Sequence, residues 1–386
     1  MLRFRLTVVL CSFALLTMIA APALRAVAAD ADSAPTSPPS SVLESPLDEL
    51  FPPPTVAVPP AAAETAPSTS GQDQLWLIST RSIRGCKPCL DNPALQVQKR
   101  SCGQGWQTAT LDEFFAADDP QMVTAFWIHG NDVPSDRAVE QGHSIFHTVA
   151  ANGCRAVRLV IWSWPSDYVH GSLRNDAQIK YHRTNIEPFY VGQVLDRIRP
   201  DVPVVLMGYS FGARISTGTL HLLGGGSING RSLPLAPTTN RLPRRAVLLA
   251  AAVGRDALSP GHRHSEALGQ VDRMVITINP RDRILRFFPA LRDDGEEALG
   301  FSGPSGLGQI GELRSRVVLL NVTPYVHKHH LAIEYQKSSE IMACVRDEVM
   351  TAGATAGAPV APPSQVTTTG SVVPVASANS AVAEKK

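Results

Sequence analysis

The apolar positions of this chain fall into short, nearly unbroken runs separated by stretches of helical spacing. Residues 75–80, 122–128, 157–164, 204–207, 246–251, 274–278 and 317–321 are dominated by aliphatic and aromatic side chains. Runs of that length predict strands covered on both faces. Residues 95–100 alternate apolar and polar instead, which predicts an edge strand. Between the runs lie segments of helical period: 138–152, 179–198 with a break or start near Pro188, a stretch after 210 that carries Ile215, Leu220 and Leu223, and 334–349. Strands alternating with helices predict an α/β domain, a mostly parallel sheet with helices on both faces. In such sheets reactive groups gather beyond the carboxyl ends of the strands.

The two ends of the chain read differently. Arg3 and Arg5 precede an apolar run from Leu6 to Ala20, and Ala26-Val27-Ala28 has the small-residue spacing of a cleavage site. Residues 1–28 are therefore expected to be a signal peptide, with an uncleaved membrane anchor as the alternative. Residues 29–73 and 351–386 are rich in Pro, Ala, Ser and Thr, and are expected to be a disordered linker and tail. The folded domain is expected over 74–350. The expected location is exported, periplasmic or extracellular, with association to the cell envelope through the N-terminal segment.

Composition narrows the class. The 386 residues are 44% hydrophobic with a formal net charge of +1, so no nucleic-acid partner is expected. Of six cysteines, Cys11 lies in the leader. Cys86, Cys89, Cys102, Cys154 and Cys344 remain. Export favours one or two disulfides over a metal site, and the pairing is left open.

The chemistry centres on Gly208-Tyr209-Ser210-Phe211-Gly212, placed between a strand-like run and a helix-like one. Gly-x-Ser-x-Gly in that setting puts a serine hydroxyl at the apex of a sharp strand-to-helix turn. The Phe211 amide, at the start of the helix, would face a developing oxyanion. A serine hydroxyl needs an imidazole to take its proton, and the imidazole needs an orienting carboxylate.

With His129-Gly130-Asn131 after an earlier strand and acidic and histidine residues downstream, the chain resembles the α/β-hydrolase superfamily. In particular it is similar to exported bacterial hydrolases of unknown function whose early strand ends in a His-Gly-x-Asn-like sequence. The resemblance implies an acid after the 274–278 strand, where Asp282 fits an Asp-x-x-Leu setting; Asp256 is the alternative. It implies a base after the last strand, with His329 first, then His330, then His327. It implies a second oxyanion donor in the Asn131 amide, and a structural rather than catalytic His129. No metal and no cofactor are expected. The expectation is a carboxylesterase working through Ser210, His329 and Asp282 on a small ester or acyl substrate. The alternatives are an acyltransferase or peptidase, and a catalytically silent hydrolase fold serving as an envelope binding or structural module. Trp162 and Trp164 read as core or as a wall of the acyl pocket, and the loops 165–177 and 224–243 as its caps. His262 and His264 read as solvent-facing.

Overall fold

A computed structural model describes residues 73–85, 87–101, 105–151, 155–169, 171–235, 241–291 and 295–354. The expected signal peptide, most of the expected linker and nearly all of the expected tail lie outside the described residues, as do Cys86, Cys102 and Cys154.

In chain order the elements are β1 (Gln74–Ser79), β2 (Gln96–Ser101), β3 (Gly105–Ala109), α1 (Leu111–Ala116), β4 (Val123–Ile128), α2 (Ser135–Ala150) and β5 (Val157–Ser163). They continue as α3 (Leu173–Arg183), α4 (Glu187–Arg197), β6 (Val204–Tyr209), α5 (Phe211–Leu223), β7 (Arg244–Leu249) and β8 (Val271–Ile278). The chain closes with α6 (Leu299–Ser302), β9 (Val317–Asn321), α7 (Thr323–Val326), α8 (Ala332–Lys337) and α9 (Ser339–Met350).

The strands form one sheet of order β3-β2-β1-β5-β4-β6-β7-β8-β9. From β1 through β9 every neighbouring pair is parallel, while β2 and β3 pair antiparallel at one edge. β4, β5, β6 and β7 are buried along their whole length, which is why their sequences run apolar without alternation. Helices α2, α8 and α9 pack on one face, and α4 and α5 on the other. This is the expected architecture, consistent with an α/β-hydrolase fold.

Three local readings differ. β2 is not the edge, because β3 covers it; Gly-Trp-Gln-Thr-Ala offers one large apolar residue in five and carries no strand-like run. The 179–198 helix is two helices, with Pro188 in the first turn of α4, where its missing N–H is no loss. The last helix is also two, split at Ser338, whose side chain caps α9 by accepting from the Ile341 amide. At the C-terminal boundary, Ala352 is buried and its carbonyl accepts from Arg155 Nη1, so the packed chain runs past 350.

Cys89 and Cys344 carry free thiols, so neither takes part in an expected disulfide. Among the described residues, no helix is long and apolar enough to cross a membrane.

Candidate active site

β6 delivers Ser210 and α5 begins one residue later. Ser210 itself sits at φ 53°, ψ −116°, a region that side-chain-bearing residues rarely enter. Such a backbone costs about 1–3 kcal/mol and persists only when its surroundings over-determine it. Here the Ser210 amide donates to Leu249 O at 2.9 Å, and the Ser210 carbonyl accepts from the amides of Ala213 (3.0 Å) and Ala252 (3.2 Å). The flanking glycines allow the close approach. A Cβ on Gly208 would lie 2.5 Å from Gly212 O, and one on Gly212 would lie 1.9 Å from Ile128 O. The start of α5 is thus pressed against the end of β4.

His330 Nε2 lies 3.0 Å from Ser210 Oγ, and His330 Nδ1 lies 2.8 Å from Asp282 Oδ2. Asp282 is fully buried, and its Oδ1 accepts from the amides of Ile284 (2.9 Å) and Leu285 (2.9 Å). Both carboxylate oxygens are engaged, so the group has one orientation. Because Oδ2 accepts from Nδ1–H, Nε2 is left as the acceptor facing the hydroxyl.

His329, the first-ranked base by sequence, is not in this arrangement, and neither is His327; both are exposed. The reason is local geometry. α7 ends on His327 at φ 51°, ψ −116°, and the His329 amide donates back to Val326 O at 2.9 Å. In the non-helical link before α8, neighbouring side chains leave on different sides, so a one-residue difference decides which imidazole faces inward. Asp256, the alternative acid, sits elsewhere, with Oδ2 2.9 Å from His262 Nδ1.

The Phe211 amide is the first of α5 and has no acceptor within the helix. No acidic residue stands in the first turn of α5. Gly130 brings the β4 end beside the serine: a Cβ there would meet Ser210 Cβ at 3.1 Å and the Tyr209 ring at 2.9 Å. The Asn131 amide follows on that same strip of backbone. The strip is fixed from both sides. Asn131 Nδ2 donates to Asp176 Oδ2 at 3.1 Å, and the Asp132 amide donates to Ser166 O at 2.9 Å. Arg81 Nη2 donates to Val133 O at 2.7 Å while its Nε donates to Ser163 Oγ at 2.7 Å.

His129 anchors the strip. It is fully buried, its Nδ1 lies 3.0 Å from Gly130 O, and its Nε2 accepts from the Trp164 amide at 3.2 Å. Its ring stacks on Trp164, whose Nε1 donates to His129 O at 2.8 Å. Burial, reinforced by the Arg81 charge, pushes its pKa down to about 3, so it stays neutral. Trp162 is buried and bonds Glu187 Oε2 at 3.2 Å. Neither tryptophan lines an acyl pocket. The hydrogen bonds of Arg81 and Asp176 to this loop carried no sequence signal, because their positions in the chain are remote from the motifs.

The rim is built by α3 and the 285–291 turn. Tyr181 packs edge-on against Phe211 and Phe288, at 6.2 and 6.1 Å between ring centres. Buried Arg214 holds that helix from below. It bonds Thr184 Oγ1 and Asn185 Oδ1, and stacks 4.0 Å from the Tyr181 ring. Ser210 is 7% exposed and the His330 side chain 12%, so the hydroxyl is reached through a narrow opening. Of the two expected caps, residues 165–169 lie beside the Asn131–Asp132 strip, where Ser166 O accepts from the Asp132 amide. The 224–235 segment packs Ile228 against Gly218 and Leu233 against Gly192, on the outer side of α4 and α5. A cavity of about 300 Å³ lined by Phe115, Val194 and Leu233 touches none of the site residues. His264 is buried rather than solvent-facing, with Nδ1 2.9 Å from Thr217 Oγ1.

No protein-family model matches the sequence, and a search of curated proteins finds no match. Solved structures give partial likenesses. An acyl-protein thioesterase 2 from Zea mays aligns at 12% identity and TM-score 0.35, over 59% of this chain and 92% of its own. Esterase B from Lactobacillus rhamnosis, in an inhibited form, aligns at 13% identity and TM-score 0.32, over 72% and 86%. A cutinase-like protein from Cryptococcus sp. aligns at 13% and TM-score 0.27, over 59% and 93%. At these scores the description of the fold rests on the chain's own strand order and turn geometry.

Proposed function

We propose that the protein is an exported serine hydrolase, an esterase-like enzyme acting on a small ester or acyl substrate. The observation that carries this reading is the unbroken hydrogen-bond chain from Ser210 Oγ through His330 to buried Asp282. Ser210 Oγ attacks the substrate carbonyl carbon as His330 Nε2 takes its proton. Asp282 holds Nδ1–H and stabilises the imidazolium that forms. The carbonyl oxygen becomes an oxyanion, met by the Phe211 amide and the Asn131 amide. Collapse expels the alcohol, which takes the proton from His330 Nε2, and leaves an acyl group on Ser210. Water then attacks the acyl carbon by the same sequence and restores the serine. Acyl transfer to another acceptor and peptide hydrolysis share the first half of this path, and a leaving-group series separates them. Export is proposed from the leader sequence alone.

The test is hydrolysis of short and medium p-nitrophenyl esters by the full chain beside Ser210→Ala, with fluorophosphonate labelling read by mass. Loss of at least about a thousandfold in the variant, and label on Ser210 alone, is the expected result. Equal rates in both proteins, with Ser210 unlabelled, would favour the silent-module alternative.

A further inference from the structure

Seven large apolar side chains are exposed among the described residues, and six of them lie in segments that carry or adjoin residues of the site. Tyr168 and Val169 lie in the segment after β5, and the Val169 amide is tied to Asp176, the residue that also holds Asn131. Ile179 lies on α3, one turn from Asp176 and two residues before Tyr181. Phe287 adjoins Phe288, which packs on Tyr181. Leu331 follows His330 directly, and Ile333 is two residues further on. Leu319, on edge strand β9, is the exception. Leu331 is 62% exposed and Phe287 is 43% exposed, although either could have been polar at no expense to the core. Scattered single apolar residues need no explanation, whereas a cluster around one opening does.

The charges beside the cluster have a sign. Arg281, Arg283, Arg286 and Lys328 are exposed, and the Arg283 amide donates to Lys328 O at 3.3 Å, so two of these segments meet. Arg174, exposed on α3, reaches across to Ala290 O. The exposed acids Asp132 and Asp167 stand with the 166–169 segment, where the Asp132 amide donates to Ser166 O and Asp167 is paired with Arg81. Phe287 and Leu331 belong to the two segments that carry Arg281, Arg283, Arg286 and Lys328. Apolar side chains set among Arg and Lys are the composition of a surface that lies on an anionic lipid interface.

We propose that this rim docks the protein on an anionic lipid surface, with the Ser210 opening facing the lipid, so that the substrate is an acyl ester of an amphiphile drawn from that surface. The substrate half of this proposal rests on the serine-hydrolase reading; the docking half does not.

The test uses the full chain carrying Ser210→Ala, so that no hydrolysis occurs. Leu331→Cys is added and labelled with an environment-sensitive fluorophore. The same parent without Leu331→Cys, labelled identically, corrects for Cys89, Cys344 and the other native thiols. Vesicles of phosphatidylcholine with 30% phosphatidylglycerol are expected to blue-shift the label at 331, and pure phosphatidylcholine to do so much less. Phe287→Ser in the same chain is expected to weaken the vesicle concentration dependence about tenfold, the scale of one large apolar side chain removed from an interface. Each cation exchanged for glutamine, Arg286→Gln or Lys328→Gln, is expected to weaken it about fivefold. An unshifted label on anionic vesicles overturns the proposal even where the chain pellets with them, because contact then lies elsewhere. A shift that appears without vesicles as protein concentration rises also overturns it, since the rim would then pair with a second copy. If the label shifts but Ser210 fails the ester and fluorophosphonate tests, the docking surface stands and the hydrolase reading falls.

Discussion

Asp282→Asn isolates the electrostatics of the site from its shape. In the wild type, Oδ1 accepts from the Ile284 and Leu285 amides, and Oδ2 accepts from His330 Nδ1 at 2.8 Å. An asparagine must offer its oxygen to the two backbone donors, since an amide nitrogen there would face N–H groups. Its NH2 then faces His330 Nδ1. An NH2 donates, so Nδ1 becomes the acceptor and the imidazole proton moves to Nε2, which points at Ser210 Oγ from 3.0 Å. In that tautomer the ring cannot take the serine proton. The imidazolium also loses its negative partner. By analogy with the same substitution in the serine-protease triad, kcat falls by about 10⁴, or about 5.4 kcal/mol of barrier. Because the backbone bonds to Oδ1 survive, the variant keeps its fold and its KM moves little. The assay is steady-state hydrolysis of p-nitrophenyl butyrate at pH 7.5, with ¹⁵N shifts of His330 reporting the tautomer. A variant within tenfold of wild-type kcat would refute the role assigned to Asp282, as would a His330 tautomer unchanged by the substitution.

Three further outcomes follow from the same geometry. His330→Ala should reduce ester kcat by at least about 10⁴, whereas His329→Ala, one residue away and exposed, should stay within about threefold; the reverse pattern would reinstate His329 as the base. Gly212→Ala places a methyl 1.9 Å from Ile128 O, a backbone atom that cannot swing aside, and should cost at least about 2 kcal/mol in urea unfolding, while Gly269→Ala, with nothing within 4 Å, should stay within about 1 kcal/mol. Equal effects in the two variants would show that β4 and α5 are not pressed together as described. His129 is neutral in the fold with a pKa of about 3 but titrates near 6.5 when unfolded, so below 6.5 the unfolded chain binds the extra proton. Stability from this group is complete above pH 6.5 and falls as pH drops toward 3; by pH 5 the loss is about 2 kcal/mol. Urea unfolding at pH 7 and pH 5 reads it, and His129→Gln should flatten that part of the slope; an unchanged slope in the variant would remove His129 as the cause.

The sequence showed the sheet well because its interior strands are covered on both faces, and such strands spell themselves out as unbroken apolar runs. β3 was invisible for the converse reason: with only Trp106 and Ala109 half-buried and the other three residues exposed, little in its composition is constrained. Ser210 was legible from a local motif, and Asp282 from the place after β8 that the superfamily resemblance implies for the acid. The first needs glycines that let backbones touch; the amides that hold the second, two and three residues on, became visible in the structure. The base was not, because three histidines stand within four positions and the choice among them depends on a backbone turn.

That turn belongs to a pattern that glycine counting cannot find. Among the described residues, six other than glycine hold positive φ; Asp132, Ser210 and Ala250 follow the carboxyl ends of β4, β6 and β7, and His327 follows α7, the short helix after β9. Each is pinned by hydrogen bonds from a neighbouring strand or loop. The Asp132 amide donates to Ser166 O, the Ala250 amide to Thr277 Oγ1, and the His327 carbonyl accepts from Asn279 Nδ2. A positive φ is unfavourable for a residue with a side chain, and even Asn, Asp and His, which adopt it most readily, do so only where their surroundings require it, so residue type alone does not announce it. What holds it is tertiary, and tertiary partners are remote in the chain: Asn279 lies 48 residues before His327. The strain thus collects at one end of the sheet, around the serine, where it turns Ser210 and His330 toward each other. The geometry that selects His330 over His329 is stored in contacts to β8 and its loop, not in the histidine-rich segment itself.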